Sequence, residues 1–534
     1  MIKSLCVALA IAAAVTSRGA AAEAGEPPAL AWHFIGTGAL AATNPEGVLN
    51  QLSTLTNSAR LANQLRSRLT SHLPGWIGLN TRDMSAEIVS PLIADLLKYE
   101  SIGRLEGSPL GTGSWALAIH LDTEGAARWN GLLMTIGRRL GLGEPQAIKL
   151  EGLSGWQIPA PAGRRSYAFV RQQNWLLMAS EFAGGSTASR WIAGLARDGR
   201  PLPPPGEDWL KFEAQPAALD WQPALPFTGR ITHIDAAVSW QGKDLRTTAK
   251  LTLADGRTTT HSAWQIPRGI VRDPLVSFTA ARGVRDFLGG LDIAKALPND
   301  LVPDQWFGWS RSTVAFINDF ALPVKDEAKA FAHLEKSVPG VYNPRLLELA
   351  LGQWLSATNQ TRLLWRGLPV LVPYLGPVKD GNQGFLHGGI FPLAAQTNAQ
   401  PAPDELFAQF EQRSDLIYYD WEITQARLAA FQQASPFVEL FLPKAAPKAG
   451  THGAEWLKEA LPLLENVVTE ISTTSPRELA LTRRSQTGLT GIELWLLTRW
   501  LDSSEFPKFP YGKPQKPEPG ARPGPPGIAP PPQR

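Results

Sequence analysis

Trp209-Leu210-Lys211-Phe212-Glu213 and Leu416-Ile417-Tyr418-Tyr419-Asp420-Trp421-Glu422 are the stretches on which the fold turns. Each reads as a short apolar strand. After the first comes an Ala-rich helical turn through Asp220, and after the second a helix from Thr424 to Gln433. Long runs of alternating residues follow, Ile231 to Leu253 in one case and Val468 to Leu497 in the other. In the first run Ile231, His233, Asp235 and Ala237 point one way, and Thr232, Ile234, Ala236 and Val238 the other, the period of a half-buried antiparallel strand. Asp255-Gly256 marks a tight turn into a further strand, Arg257 to Ile266. A supersecondary unit used twice predicts a tandem duplication.

The flanking elements repeat in the same order. Upstream of the first copy, Trp32 to Ala41 reads as a Gly-containing strand, and Pro45-Glu46 opens a helix with Leu61, Leu65 and Leu69 on one face. A helix from Ser85 to Tyr99, a strand from Ser114 to Asp122 and a helix from Thr123 to Leu140 come next. A meander of short strands follows at 147–150, 155–158, 166–171 and 175–180, then a helix from Ser186 to Ala196 and a rigid connection at Pro201 to Pro205. Downstream, Leu275 to Ala281 answers the first strand, Trp309 to Phe320 answers Ser114 to Asp122, and Lys325 to Val338 answers the helix from Thr123. Arg362 to Tyr374 with Gly384 to Leu393 answers the meander, and Pro403 to Gln412 answers the Ser186 helix.

The expected fold is therefore α+β, two similar tandem lobes, each a curved antiparallel sheet with helices packed on one face. Its parts are a signal peptide at 1–22, a first repeat at 23–270, a second repeat at 271–501 and a basic Pro-rich tail at 502–534.

Composition narrows the function. Met1 to Ala22 has the charged start (Lys3), short apolar core (Leu5 to Val15) and small-residue end (Ala20-Ala21-Ala22) of a cleaved secretory signal. That core is about half the roughly 20 residues a membrane-spanning helix needs. The expected location is periplasmic or extracellular, with no transmembrane segment in the mature chain. The only cysteine, Cys6, falls inside the signal, so the mature chain should carry no disulfide or Cys-metal site. Without residues 1–22 the chain has 49 basic and 48 acidic side chains, a net +1 that gives no reason to expect nucleic acid. The tail, with Lys508, Lys513, Lys516, Arg522 and Arg534 among prolines, cannot build a core and is suited to weak contact with an anionic surface.

The search for chemistry assigns no catalytic, cofactor-binding or metal-ligating residue. The eight histidines (His33, His72, His120, His233, His261, His333, His387 and His452) never fall at the i, i+4 spacing of a helical zinc site, although His33 and His120 occupy matching strand positions. Gly36-Thr37-Gly38-Ala39-Leu40-Ala41 fits a loose dinucleotide pattern but lacks an acid some twenty residues on, and reads as small residues in a crowded strand. His387-Gly388-Gly389 has the look of an esterase oxyanion loop, yet there is no G-x-S-x-G serine, and it reads as a glycine-rich strand or turn. Asp415, Asp420 and Glu422 read as a solvated strand edge. The 19 tryptophans are assigned mainly to core, with Trp306-Phe307-Gly308-Trp309, Trp209 and Trp221 the alternative as sugar-stacking platforms.

The succession of signal, strand and helix, meander, Trp209 to Asp220 unit and long terminal hairpin resembles an uncharacterised family of exported bacterial proteins, a domain of unknown function. The resemblance implies an exported two-lobed α+β protein and brings no activity or site residues with it. Three functions follow as expectations: a non-enzymatic envelope protein that binds a protein or polymer partner, a carrier of lipid or acyl chains, and an envelope polysaccharide hydrolase.

Overall fold

The computed structural model describes residues 28–506, apart from 77–85, 107–113, 140, 151–152, 160–164, 183–193, 195–207, 220–229, 257–260, 291–296, 312–317, 358–360, 369–370, 392–399, 442–451 and 504–505. The signal at 1–22, the helix at 186–196, the connection at 201–205, Trp221 and residues 507–534 of the tail lie outside the described residues, the helix save for its residue 194.

The described residues of the first half form ten strands: β1 Leu30–Phe34, β2 Ser101–Glu106, β3 Ser114–His120, β4 Gln146–Leu150, β5 Leu153–Ile158, β6 Arg165–Gln172, β7 Trp175–Phe182, β8 Asp208–Ala214, β9 Ile231–Gln241 and β10 Asp244–Leu253. The second half contributes ten more: β11 Ser277–Arg282, β12 Gln305–Ser310, β13 Asn318–Val324, β14 Gln353–Ser356, β15 Leu363–Arg366, β16 Tyr374–Asp380, β17 Gln383–Gly389, β18 Leu416–Ile423, β19 Asn466–Ser475 and β20 Glu478–Ser485. All pair antiparallel in one large, open sheet. From one edge the order is β4-β5-β6-β7-β3-β2-β1-β8-β9-β10. Across the β10–β20 ladder it continues β20-β19-β18-β11-β12-β13-β17-β16-β15-β14. Adding ten to every label of the first run gives the second in reverse.

Helices are the minority: α1 Gly36–Thr43, α2 Val48–Thr54, α3 Thr56–Trp76, α4 Ala86–Lys98, α5 Thr123–Arg139, α6 Arg285–Gly290, α7 Glu327–Glu348, α8 Asp404–Ala408, α9 Thr424–Phe441, α10 His452–Ala460 and α11 Gly491–Asp502. Leu61, Leu65 and Leu69 of α3 do share a buried face, as their spacing of four requires. They pack in one apolar core with Trp209 of β8 and with Trp456, Leu494, Trp500 and Phe506 from the other end of the chain. No described helix is long and apolar enough to cross a membrane.

Long-range caps reinforce that shared core. The Glu459 carboxylate of α10 accepts the backbone N–H groups of Thr56 (3.1 Å) and Asn57 (2.9 Å), which open α3. Arg68 of α3 donates to the carbonyls of Leu501 and Ser503, each at 2.6 Å, where α11 ends. Orphan groups at helix ends thereby find partners some 400 residues away in sequence. Trp456 Nε1 adds a 2.8 Å bond to Ser58 Oγ.

Five sequence expectations are corrected here. The strand at 32–41 stops at Phe34, and α1 begins at Gly36, whose φ of +85° only glycine adopts freely and where a Cβ would lie 2.5 Å from the Lys98 carbonyl. In the strand order the place of Ser114–His120 is taken in the second half by β13, Asn318–Val324, because Trp309 belongs to the preceding strand, β12. The terminal alternating run ends at Ser485; residues 491–502 form α11, started by a Thr490/Glu493 capping box. Residues 261–266 are not strand, and Phe506, 1% exposed, belongs to the core rather than to the tail.

The caps give a test. Replacing Glu459 by alanine leaves two N–H groups of α3 without their acceptor and should lower the unfolding free energy by about 1–2 kcal/mol in urea titrations. An unchanged midpoint would show that the contact contributes nothing.

Candidate functional site

Strand β18 lies between β11 and β19, deep in the sheet, and its two faces differ. Because side chains alternate, Tyr418, Asp420 and Glu422 face the helices, while Tyr419 and Trp421 face the opposite side. Both β8 and β18 carry a register shift near their start, after Asp208 and after Leu416. At the same places in the sheet, the pairs Leu30–Ala214 and Trp32–Phe212 of the first half become Ser277–Glu422 and Thr279–Asp420 in the second. The interior is apolar at these positions in the first half and carries carboxylates in the second.

On the helix side, Thr279 Oγ1 donates to Asp420 Oδ1 at 2.6 Å. The Glu422 carboxylate, only 3% exposed as a residue, accepts the Gly491 N–H at 2.5 Å and the Thr424 hydroxyl at 3.2 Å, so it caps α11 from the sheet. Arg427 donates to the hydroxyls of Ser277 and Ser310 and stands 4.0 Å from Glu422. Arg483 forks onto Glu493 (2.7 and 3.1 Å) and reaches Thr469 Oγ1 at 2.9 Å. Burial pushes both Asp420 and Glu422 above the usual carboxylate range, opposed by the Thr279 bond at Asp420 and the Gly491 bond at Glu422. Glu422 is thus interior and Asp420 half-buried beside it, neither of them on a solvated strand edge. Asp415 alone of the three is open to solvent, held below the ordinary range by Arg413 at 3.2 Å.

On the other face is a groove of about 590 Å³. Its floor is Tyr419 and Trp421 of β18, Val468 and Glu470 of β19, and Thr482 and Arg484 of β20. Its wall comes from Asp273 and Leu275 before β11 and from Pro403, Glu405, Leu406 and Gln409 around α8. That wall stands because Phe407 and Phe410 bury themselves with Trp264 against Phe278 and Phe307 of the sheet, so α8 packs on the face away from the main helix layer. Arg413 holds Glu470 at 3.2 Å, and Asp244 holds Arg484 at 3.4 Å. Asp273 and Glu405 have no side-chain partner among the described residues.

A third polar group lies further along the sheet, on β13, β17 and β16, and brings His387 together with residues the sequence did not join to it. Asp319 accepts from Tyr374 (2.9 Å) and Arg311 (2.9 Å), and His387 sits 3.3 Å from the Tyr374 oxygen and stacks on Trp309 at 5.8 Å. Burial pushes His387 down to about 4 and the Tyr374 phenol up, leaving both neutral at pH 7. The hydrogen-bonded phenol serves as an anchor for the sheet. Gly388 in β17 has a strand's role, as its motif suggested: a Cβ there would meet the Phe320 ring at 2.5 Å.

Other sequence candidates are dispersed. His33 pairs with Glu100 at 2.8 Å, and His120 lies against Trp175, so their matching positions bring no common site. Trp209, Phe307 and Trp309 are core, and among the described tryptophans none is classed as exposed. No group of three or more His, Cys, Asp or Glu with metal-binding geometry occurs among the described residues. The groove escaped the sequence because its wall and floor lie far apart in the chain; the alternation of Tyr419 and Trp421 with Asp420 and Glu422 was the available signal.

No family model and no curated protein matches the chain. Among solved structures it is similar to crystal form I of TP0453, at 9% identity and TM-score 0.23, over 44% of this chain and 78% of that one. Crystal form IV of TP0453 gives 10% identity and TM-score 0.21 over 43% and 78%. Similarity at this level carries no argument about fold or function.

The buried carboxylates set a pH dependence. A group whose folded pKa lies above its unfolded one binds more protons when folded, so stability falls as pH rises from the ordinary carboxylate range through the raised value. Asp420→Asn keeps an acceptor for Thr279 and removes the charge. It should be more stable than wild type by about 1 kcal/mol at pH 7, the gap closing as the wild type is acidified. Urea titrations at pH 7 and pH 4 check this; a less stable variant at pH 7 would mean that the Arg427 and Arg483 attractions outweigh burial.

Proposed function

We propose that the protein is an exported, non-enzymatic protein of the cell envelope that holds a protein or polymer partner in the groove between β18 and α8. The observation that carries this reading is the groove lining: the half-buried indole of Trp421 backed by the buried ring of Tyr419, hydrogen-bonding groups in Gln409 and Thr482, and carboxylates on the rim at Asp273 and Glu405. Aromatic anchors ringed by polar groups supply contact area and orientation at once. Export is supported by the Met1 to Ala22 pattern. A carrier of acyl chains would favour a concavity lined by several indoles, whereas this groove presents one.

The architecture joins the same proposal. The strand order that repeats with an offset of ten supports duplication of one ten-strand unit, giving tandem lobes at 23–270 and 271–501. On that reading the first lobe kept an apolar interior at β1 and β8, and the second acquired the polar interior and groove around β18.

A pull-down from the native envelope with wild type and Trp421→Ala, followed by mass spectrometry of protein and lipid, tests the function. The expected result is a protein or polymer partner recovered about tenfold less by the variant, equivalent to roughly 1.4 kcal/mol of binding. Equal recovery by both proteins, or stoichiometric lipid in place of a partner, would overturn the reading.

A further inference from the structure

The groove has a charge and shape that select among partners. Two of its rim acids, Asp273 and Glu405, lack side-chain partners among the described residues, whereas its arginine, Arg484, is engaged by Asp244. Beside them stand the half-buried indole of Trp421 and the exposed ring of Pro403. Aromatic grooves with acidic rims suit extended proline-rich peptides bearing Lys or Arg: proline rings lie on aromatic faces, the preformed left-handed helix loses little entropy on binding, and the cations meet the carboxylates.

The chain itself contains such a peptide. Residues 507–534 hold eleven prolines, the five cations Lys508, Lys513, Lys516, Arg522 and Arg534, and one acid, Glu518. Arg522 directly precedes Pro523-Gly524-Pro525-Pro526. The segment starts close enough. Phe506 packs on Trp500 of α11 at 4.8 Å, and the opposite end of α11 is bonded through Gly491 to Glu422, the neighbour of Trp421. Phe506 lies on the helix side of the sheet and the groove on the other, so the segment must run along about 18 Å of helix and then round the ends of the strands. Sixteen extended residues, Pro507 to Arg522, reach about 50 Å.

We propose that residues 513–526 of the same chain occupy the groove, with Arg522 on the Asp273 and Glu405 rim and the following prolines on Trp421, and that a partner must displace them. The inference rests on the groove being a binding site. Tethering raises the effective concentration of the segment to the millimolar range, so a weak contact suffices to occupy the groove.

The test is a full-length chain carrying Cys6→Ser and Ala521→Cys, labelled with bimane, a fluorophore that indole quenches on contact. Strong quenching is expected, independent of protein concentration, relieved at about 1 M salt and abolished by Trp421→Phe. Emission unaffected by Trp421→Phe, or quenching that grows with protein concentration, would overturn the intramolecular contact. If the bimane is unquenched while the partner is still recovered by wild type and lost with Trp421→Ala, the tail inference falls and the groove's function stands.

Discussion

The ladder between β10 and β20 is the contact on which the rest of the molecule depends. Eight residue pairs, from Leu245–Ser485 to Thr252–Glu478, close two strands that would otherwise be the long free edges of two ten-strand runs. An exposed edge of this length, alternating and hydrogen-bond ready, invites pairing with other chains. Here each edge satisfies the other. Leu251 and Leu479 from opposite halves then lie in one apolar cluster with Ile234, Ala236 and Ile471, so the junction is an interior and not merely a hydrogen-bonded seam. Burial of the leucine and isoleucine side chains contributes about 1.5–3 kcal/mol each, more than the net gain of a single backbone hydrogen bond.

Joining the sheet in its middle also decides where helices can sit. Over the junction, α3 from the first half and α10 and α11 from the second share one core, and their ends are capped across it by Glu459 and Arg68. The cost of burying Asp420 and Glu422 next to that layer is offset by defined partners: a hydroxyl, two backbone or side-chain donors and nearby guanidinium groups. Those same partners fix β18 in position. The opposite face of β18 is thereby held rigid enough to present Trp421 on the floor of a groove, with Tyr419 buried beneath it.

Much of this was legible in the sequence, and the reasons for the misses are physical. Alternation found β9 and β10, and the spacing of Leu61, Leu65 and Leu69 found the buried side of α3, because both patterns report on a single element. The same alternation misled at 491–497, where a helix reads as strand unless the Thr490-x-x-Glu493 cap is noticed first. Gly36 and Gly38 read as crowded strand, whereas Gly36 is the sharp turn from β1 into α1. The acids of β18 were read as solvated because a strand's place in a sheet depends on its neighbours, and β11 and β19 are remote in the chain. The groove needed still more, since α8 reaches it only after its phenylalanines are buried against β11 and β12.

Hydrogen–deuterium exchange of the full chain, read peptide by peptide, tests the central junction most directly. If the β10–β20 ladder and the shared helix core unite the molecule, amides of 245–252 and 478–485 should be among the slowest to exchange and should open only with global unfolding. Early exchange of these strands, with the two ten-strand runs protected separately, would contradict that account.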